Sequence, residues 1–481
     1  SSSSAASDVY KRQQISPPKS EALAALAARV RHDLACLDYP ARPWVRPHRH
    51  PEGHVYDVLI VGAGQSGLAA AFGLMREKVE NILVLDENPE GQEGPWVTYA
   101  RMVTLRTPKH LISVDLGLPS LTFRAWWEAQ YGAEGWEALG KIPRAAWMRY
   151  LMWYRRILGI PVRNEAKVTL IEPVQRGLFR VHASGSALLA RKVVLATGIQ
   201  GGGEWHTPDF IKTLPKSRYA HTSEAVDYAA MQGRRIGILG GGASAFDNAQ
   251  FALGEGVGRV QVFIRKPALP RINPIRFMEN AGFLGHFSDL SDAQRYDGID
   301  HFLSFNQPPT NDTFNRACAY EGFSFHPGEP WLSVRETPDG VEVTTPKGSY
   351  VFDFLVLSTG LLTDARLRPE LAALAGDIAC WRDKYQAPKP NKLIDDHPYL
   401  ARDFAFTAKT PEGADRLHGL FNFNYAALAS LGLSASALSG MKFAAPKLVY
   451  GVVSQLFTDD APEILADYKA YAEEEFSGVW P

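Results

Sequence analysis

The sequence predicts an α/β chain carrying two Rossmann-like dinucleotide-binding domains, and three observations carry that prediction. A strand, glycine turn, helix and second strand occur in order at residues 57–86 and again at 235–266. Each copy is followed at a distance by an apolar strand ending in Thr-Gly, first Val193 to Gly198 and then Leu355 to Gly360. The chain, at 481 residues, has room for two or three domains at roughly 150 residues each.

The element pattern supports this reading in chain order. Ser20 to Cys36 has Leu and Ala at helical spacing and reads as a leading helix, followed by a connector rich in Pro, His and Arg. Asp57 to Val61 is a short apolar strand, Ser66 to Lys78 an Ala/Leu helix, and Ile82 to Asp86 a second strand. This is the opening of a βαβ unit with a parallel sheet. In the second copy the strand is Arg235 to Leu239, the helix Ala243 to Leu253 and the next strand Val260 to Ile264. Hairpin stretches precede each Thr-Gly turn: Phe179 to Ala183 in one half, Val341 to Thr345 with Tyr350 to Phe354 in the other. Trp126, Trp127, Trp136, Trp147 and Trp153 fall at helical spacing after the first unit, where they suit core packing, a substrate wall or a homodimer face.

Composition removes several function classes. Lys and Arg total 51 against 52 Asp and Glu, a net charge of −1, so there is no electrostatic case for nucleic acid or an anionic membrane as partner. A hydrophobic fraction of 46% and a charged fraction of 21% describe an ordinary globular chain. Cys36, Cys318 and Cys380 lie far apart, without CxxC or CxxxxC spacing, so no disulfide framework, redox pair or metal cluster is expected and a cytoplasmic location fits best. Ser1 to Gln14 is polar and serine-rich, read as a tail or cloning scar and not a signal peptide. The apolar stretch Asp57 to Met75 is broken by Gly62, Gly64, Gln65, Ser66 and Gly67, which argues for strand, turn and helix over a membrane span.

The glycine motifs carry the chemistry. In Gly62-Ala63-Gly64-Gln65-Ser66-Gly67 glycine permits the tight turn and the close approach of backbone to a pyrophosphate, which the helix N-terminus then attracts. Asp86, with Glu87 beside it, ends the second strand, where a carboxylate can accept from ribose hydroxyls. The second motif is Gly240-Gly241-Gly242-Ala243-Ser244-Ala245, with the permitted alanine at the third site. Arg265 and Lys266 replace the acid after its second strand, and a basic pair suits the 2′-phosphate of NADPH over NADH.

From Tyr56 to Phe457 the chain resembles the flavin-containing monooxygenase superfamily, the class B flavoprotein monooxygenases with Baeyer–Villiger enzymes and N-hydroxylases as relatives. The resemblance rests on both glycine motifs, on Gly94-Pro95-Trp96 where relatives have a Gly-Gly-x-Trp-like turn, on Thr197-Gly198 and Thr359-Gly360, and on the flavin-facing segment Thr104 to Lys109. It implies FAD on the N-terminal motif and NADPH on the second, with the NADP domain inserted into the FAD domain. The expected division is a leader, helix and connector at 1–54, FAD domain at 55–215, NADPH domain at 216–360, and FAD-domain return with the C-terminal region at 361–481. It also implies the reaction: NADPH reduces FAD, and the reduced flavin captures molecular oxygen as a C4a-(hydro)peroxide that oxygenates a small organic substrate at N, S or a heterocycle carbon. A urate hydroxylase or a Baeyer–Villiger enzyme is an alternative within that class. The Baeyer–Villiger reading is weakened because only Tyr219-Ala220-His221 and Tyr228 stand where relatives carry a fuller His signature.

Three residues are the catalytic candidates. Arg106 stands where relatives place a flavin-side Asn, and its donors suit an anionic oxygen or a substrate carboxylate, unless it pairs with an acid. Asn424, with Asn422 and Tyr425, lies in an aromatic, amide-rich stretch that returns the chain to the FAD domain and could orient a flavin edge, or could only satisfy a buried turn. His397 is a candidate acid or base, as is His221, although a lone His is more often structural. An electron-transfer reductase of the same architecture is the reading from another class, and a non-catalytic dinucleotide sensor is disfavoured because both glycine motifs are intact.

Overall fold

The computed structural model describes residues 20–39, 42–305 and 307–481; the serine-rich leader lies outside them. The apolar run of the first unit becomes Gly53–Val61, the centre of an eight-stranded sheet. It pairs in parallel with Ile82–Leu85 on one side and Ser186–Leu195 on the other. Val58, Leu59 and Ile60 are fully buried, as a parallel strand covered on both faces requires. Leu178–Ala183 and Val168–Gln175 extend the sheet antiparallel. Leu420–Asn422, from far along the chain, adds in parallel beside Ser186–Leu195.

The second sheet has five strands, all parallel, in the order Phe323–His326, Arg259–Phe263, Arg235–Leu239, Phe354–Leu357 and Tyr219–His221. All of it lies in the chain between two strands of the first sheet, so the nucleotide domain is inserted. The chain leaves along Gly203–Trp205 and returns along Leu361–Thr363, and these two segments pair antiparallel. The stretch read as a strand over Tyr350 to Phe354 is two elements. Gly348–Phe352 closes an antiparallel meander, and Phe354–Leu357 belongs to the parallel sheet. Asp353 makes the corner, its carboxylate taking the backbone N–H and guanidinium of Arg235.

Ser20–Cys36 forms the leading helix. Two further helices, Phe123–Ala138 and Arg144–Leu158, carry the tryptophans. Arg144–Leu158 begins after Pro143 and stops at Gly159 in the left-handed conformation, with Arg155 and Arg156 in its last turn. Trp126, Trp127, Trp136, Trp147 and Trp153 are all buried within this one chain, around Phe123 and Tyr150. They are core, and offer no face to a second copy. A separate apolar cluster joins the inserted half to the C-terminal return, with Leu284, Phe287 and Ile299 packed against Trp381, Ile394 and Leu428. Among the described residues no helix is long and apolar enough to cross a membrane.

Candidate active site

The two glycine turns are built alike. Gly62 has φ +103° and its N–H donates to Leu85 O at 2.7 Å; a Cβ there would collide with Ala196 O. Gly240 has φ +115° and donates to Phe263 O at 2.9 Å; a Cβ there would collide with Ser358 O. Only glycine satisfies both demands at these positions. The middle glycines are different. A Cβ on Gly64 would meet nothing within 4 Å, and on Gly242 only Ser358 Oγ at 3.9 Å. The backbone is therefore bare on the side where a pyrophosphate approaches. At the third position Gly67 packs so closely on Gly62 O that no side chain fits, whereas Ala245 is accommodated, fully buried.

The helices that follow, Gln65–Arg76 and Ala243–Gly254, have glycine at the N-cap, no side-chain cap and no acid in the first turn. Their N-terminal N–H groups and positive dipole ends are left for an anion. These features fit the diphosphates of FAD and of a nicotinamide dinucleotide. Ser66 Oγ donates to Ala435 O, drawing the C-terminal segment across the first helix start. Gln65 Oε1 accepts from Trp147 Nε1 at 3.2 Å, and Trp147 packs edge-on to Trp96. The Gly94-Pro95-Trp96 turn is thus tied to the first glycine motif.

Asp86 is buried, accepting from Ala63 N–H and Asn88 N–H at 2.8 Å each. Burial pushes its carboxyl above the usual range, against those two donors. It braces the glycine turn against the second strand, while Glu87 is exposed beside Lys167. Sequence reasoning missed Glu93, which is buried and holds the intervening loop through Gly91 N–H, Arg155 and Asn164. Arg265 and Lys266 are exposed at the end of the corresponding strand in the second domain. Neither has an acidic partner among the described residues, nor does the nearby Arg271.

Each Thr-Gly turn pins a connection. Gly198 O accepts from Tyr425 N–H and Thr197 Oγ1 from Asn424 Nδ2, both at 3.1 Å. Thr359 Oγ1 donates to His206 O, and Gly360 O accepts from His206 N–H. Asn424 also donates to Gly201 O and Asn422 Oδ1 and accepts from Ala426 N–H. Every polar atom of its side chain is engaged in the turn. His397 is buried with Nδ1 at 2.7 Å from Leu393 O. His221 is stacked on Trp205 at the interdomain connector. Burial pushes both imidazoles down to about 4, so both are neutral near pH 7. The structure brings Asn424 to the Thr197 turn; His397 sits in the C-terminal segment beside Cys380 and Trp381, its carbonyl accepting from Trp381 N–H.

Arg106 meets an acid. Its guanidinium pairs with Asp247, on the second turn of the helix that starts at Gly242. Asp247 is buried, and burial raises its carboxyl despite Arg106, Thr313 and Arg316 around it. The same flavin-domain loop is held elsewhere. Gln250 Nε2 donates to Arg101 O, Arg101 to Val226 O, and Arg276 to Arg106 O. Lys141 reaches Asp312 at 2.8 Å. Cations of the first domain thus face acids of the second, and these contacts tie the loop to the second domain.

Two protein-family patterns match the sequence: FAD-NAD(P)-binding over residues 59–200, and L-lysine 6-monooxygenase/L-ornithine 5-monooxygenase over residues 137–311. The fold is similar to L-lysine 6-monooxygenase from Pseudomonas syringae, with TM-score 0.64 and 17% identity, covering 83% of this chain and 99% of that one. It is similar also to the ornithine hydroxylase PvdA from Pseudomonas aeruginosa, with TM-score 0.65 and 18% identity, covering 84% and 100%. With two glycine-turn nucleotide sites, one in each half, the chain belongs to the flavin-containing monooxygenase superfamily. It is a flavin-dependent NAD(P)H monooxygenase with FAD and a nicotinamide dinucleotide as cofactors. Within that superfamily it is 59% identical over 464 residues to the FAD-dependent urate hydroxylase of Xanthomonas campestris pv. campestris, covering 95% of this chain and 98% of that protein.

Proposed function

We propose that this enzyme hydroxylates urate, with NADPH as the reductant and O₂ as the oxidant. One oxygen atom enters urate and the other leaves as water, with NADPH and a proton supplying the electrons and hydrogens. The observation that carries the reading is the 59% identity, spread over nearly the whole of both chains, to a urate hydroxylase. When bound, FAD accepts hydride from the nicotinamide and activates oxygen.

The chain's own residues supply binding and orientation. The bare backbone at Gly64 and the helix start behind it take the FAD diphosphate, and Gly242 with its helix takes that of NADPH. Arg265 and Lys266, exposed and without acidic partners, are the cations for the 2′-phosphate. Arg106, the catalytic candidate of the sequence, is engaged by Asp247 at the domain junction, which makes it a residue that positions the loop there. Asn424 holds the Thr197 turn closed beside the cofactor. The absence of a disulfide among Cys36, Cys318 and Cys380 suits work in the cytoplasm. The test is NADPH oxidation by the purified, flavin-loaded protein with urate, amines, sulfides and ketones. Urate-dependent NADPH loss with a hydroxylated product supports the proposal; turnover of an amine with urate left intact refutes it.

A further inference from the structure

The chain from Ile264 to Arg276 is tied down at several points along the second glycine motif. A Cβ on Gly241 would collide with Ile264 Cγ2 and lie 3.4 Å from Leu269 Cδ2, so the chain leaves this turn at Ile264 and returns to it at Leu269. Arg265 and Lys266 ride on the excursion between. Lys266 O accepts from Gly328 N–H at 2.7 Å, which anchors that excursion beyond the edge strand Phe323–His326. Pro270 then keeps Leu269 extended, and residues 269–273 run on without regular structure. At the far end Arg276 donates to Arg106 O at 2.8 Å, and Arg106 pairs with Asp247 on the second turn of the helix Ala243–Gly254. The segment therefore passes along the start of that helix, from the outer edge of the second sheet toward the flavin domain.

Arg271 lies inside this span, two residues past Leu269 and so about 7 Å of extended chain from the residue seated on Gly241. Its side chain is exposed and meets no carboxylate among the described residues. Arg106, Arg276 and Arg316 around the same helix each have one, in Asp247, Glu279 and Asp312. The helix start itself is uncapped and open to an anion. A nicotinamide coenzyme crosses this start in the same direction as the segment. Its adenosine ribose lies by the strand end that carries Arg265, and its nicotinamide must reach the flavin. The diphosphate falls between them, on the turn where Leu269 sits. We propose that Arg271 binds the diphosphate of the nicotinamide coenzyme, a contact separate from those of Arg265 and Lys266 with the 2′-phosphate. The proposal rests on coenzyme binding at the second glycine motif, and it holds whichever substrate is oxygenated and whichever coenzyme is preferred.

The test titrates flavin-loaded Arg271→Ala with NADP⁺ and with NAD⁺. Both carry the diphosphate, so the two dissociation constants should rise by the same factor, about tenfold. A rise for NADP⁺ alone would make Arg271 one more 2′-phosphate cation, and unchanged constants would remove it from the site; either result overturns the proposal. Gly242→Val separates this claim from the one beneath it. Coenzyme affinity kept in Gly242→Val would displace the coenzyme from the motif, whereas affinity lost there and kept in Arg271→Ala overturns the role of Arg271 alone. A second readout uses the wild-type holoenzyme and is independent of how the variants fold. Phenylglyoxal, which modifies exposed arginines, is applied with and without saturating NAD⁺, and Arg271 is followed by peptide mass spectrometry. NAD⁺ has no 2′-phosphate, yet it should protect Arg271. Equal modification of Arg271 with and without NAD⁺ overturns the proposal, even if Arg271→Ala loses its flavin.

Discussion

Removing Arg106 should injure the enzyme first through Asp247. The carboxylate is buried, with a side chain 6% exposed, and Arg106 is its direct ion-pair partner across the domain junction. Breaking a buried pair from one side leaves an uncompensated charge, at about 3–5 kcal/mol. Thr313 and Arg316 still act on Asp247, so Arg106→Ala should fall at the low end, about 3 kcal/mol. At roughly 2 °C per kcal/mol for a large domain, the melting midpoint should drop by about 6 °C. Asp247→Asn in the same chain removes the stranded charge, and the double variant should recover most of that loss. Thermal melts of the flavin-loaded proteins, followed by flavin fluorescence and circular dichroism, measure all three. NADPH oxidation by Arg106→Ala should continue while the fraction yielding product falls, because the loop bearing Arg106 is also the domain clamp. A midpoint shift below about 2 °C, or a double variant no more stable than Arg106→Ala, would show that the pair does not form in solution.

Other expectations follow from the same geometry. Gly64→Val should yield colourless protein with the fold retained, since its side chain enters space left open by the protein itself; a variant that keeps a full visible flavin spectrum would contradict the placement. Arg265→Ala should raise KM for NADPH by roughly tenfold while leaving KM for NADH unchanged, consistent with loss of a charged contact worth about 1.5 kcal/mol; equal effects on both coenzymes would remove Arg265 from the 2′-phosphate site. The buried His221 and His397 set an acid limit. Their folded values near 4 lie below the ordinary 6.5, so the unfolded chain takes up these protons first. Stability is full above about pH 6.5 and is lost as pH falls toward 4, by about 2 kcal/mol per histidine between pH 7 and 5. His397→Gln should flatten that fall in urea titrations; an unchanged slope would mean His397 is protonated in the folded protein.

Much of this was legible in the sequence because it is local. Gly62 and Gly240 are demanded by positive φ and by a neighbouring carbonyl, and such demands leave glycine in the sequence at fixed spacing. The strand Arg235–Leu239 and the helix start at Ala243 follow from apolar runs bounded by those turns. The corner at Asp353 was not legible, because an apolar run continues through it and only its pairing with Arg235, 118 residues away, reveals the break. For the same reason Asp247 did not stand out as the partner of Arg106, 141 residues earlier. The tryptophans announced helices, but whether their faces meet a core or a second chain depends on packing, and Phe123 with Tyr150 settles it. Glu93 left no pattern at all, since a carboxylate in a glycine-rich loop ordinarily faces water.

The central claim is tested most directly by turnover under ¹⁸O₂. Purified, flavin-loaded enzyme is given NADPH and urate, and the product is read by mass spectrometry against an ¹⁶O₂ control. One ¹⁸O atom in each hydroxylated urate, with one NADPH consumed per product, is the predicted result. Intact urate with NADPH converted only to hydrogen peroxide, or a product whose new oxygen comes from water, would contradict it.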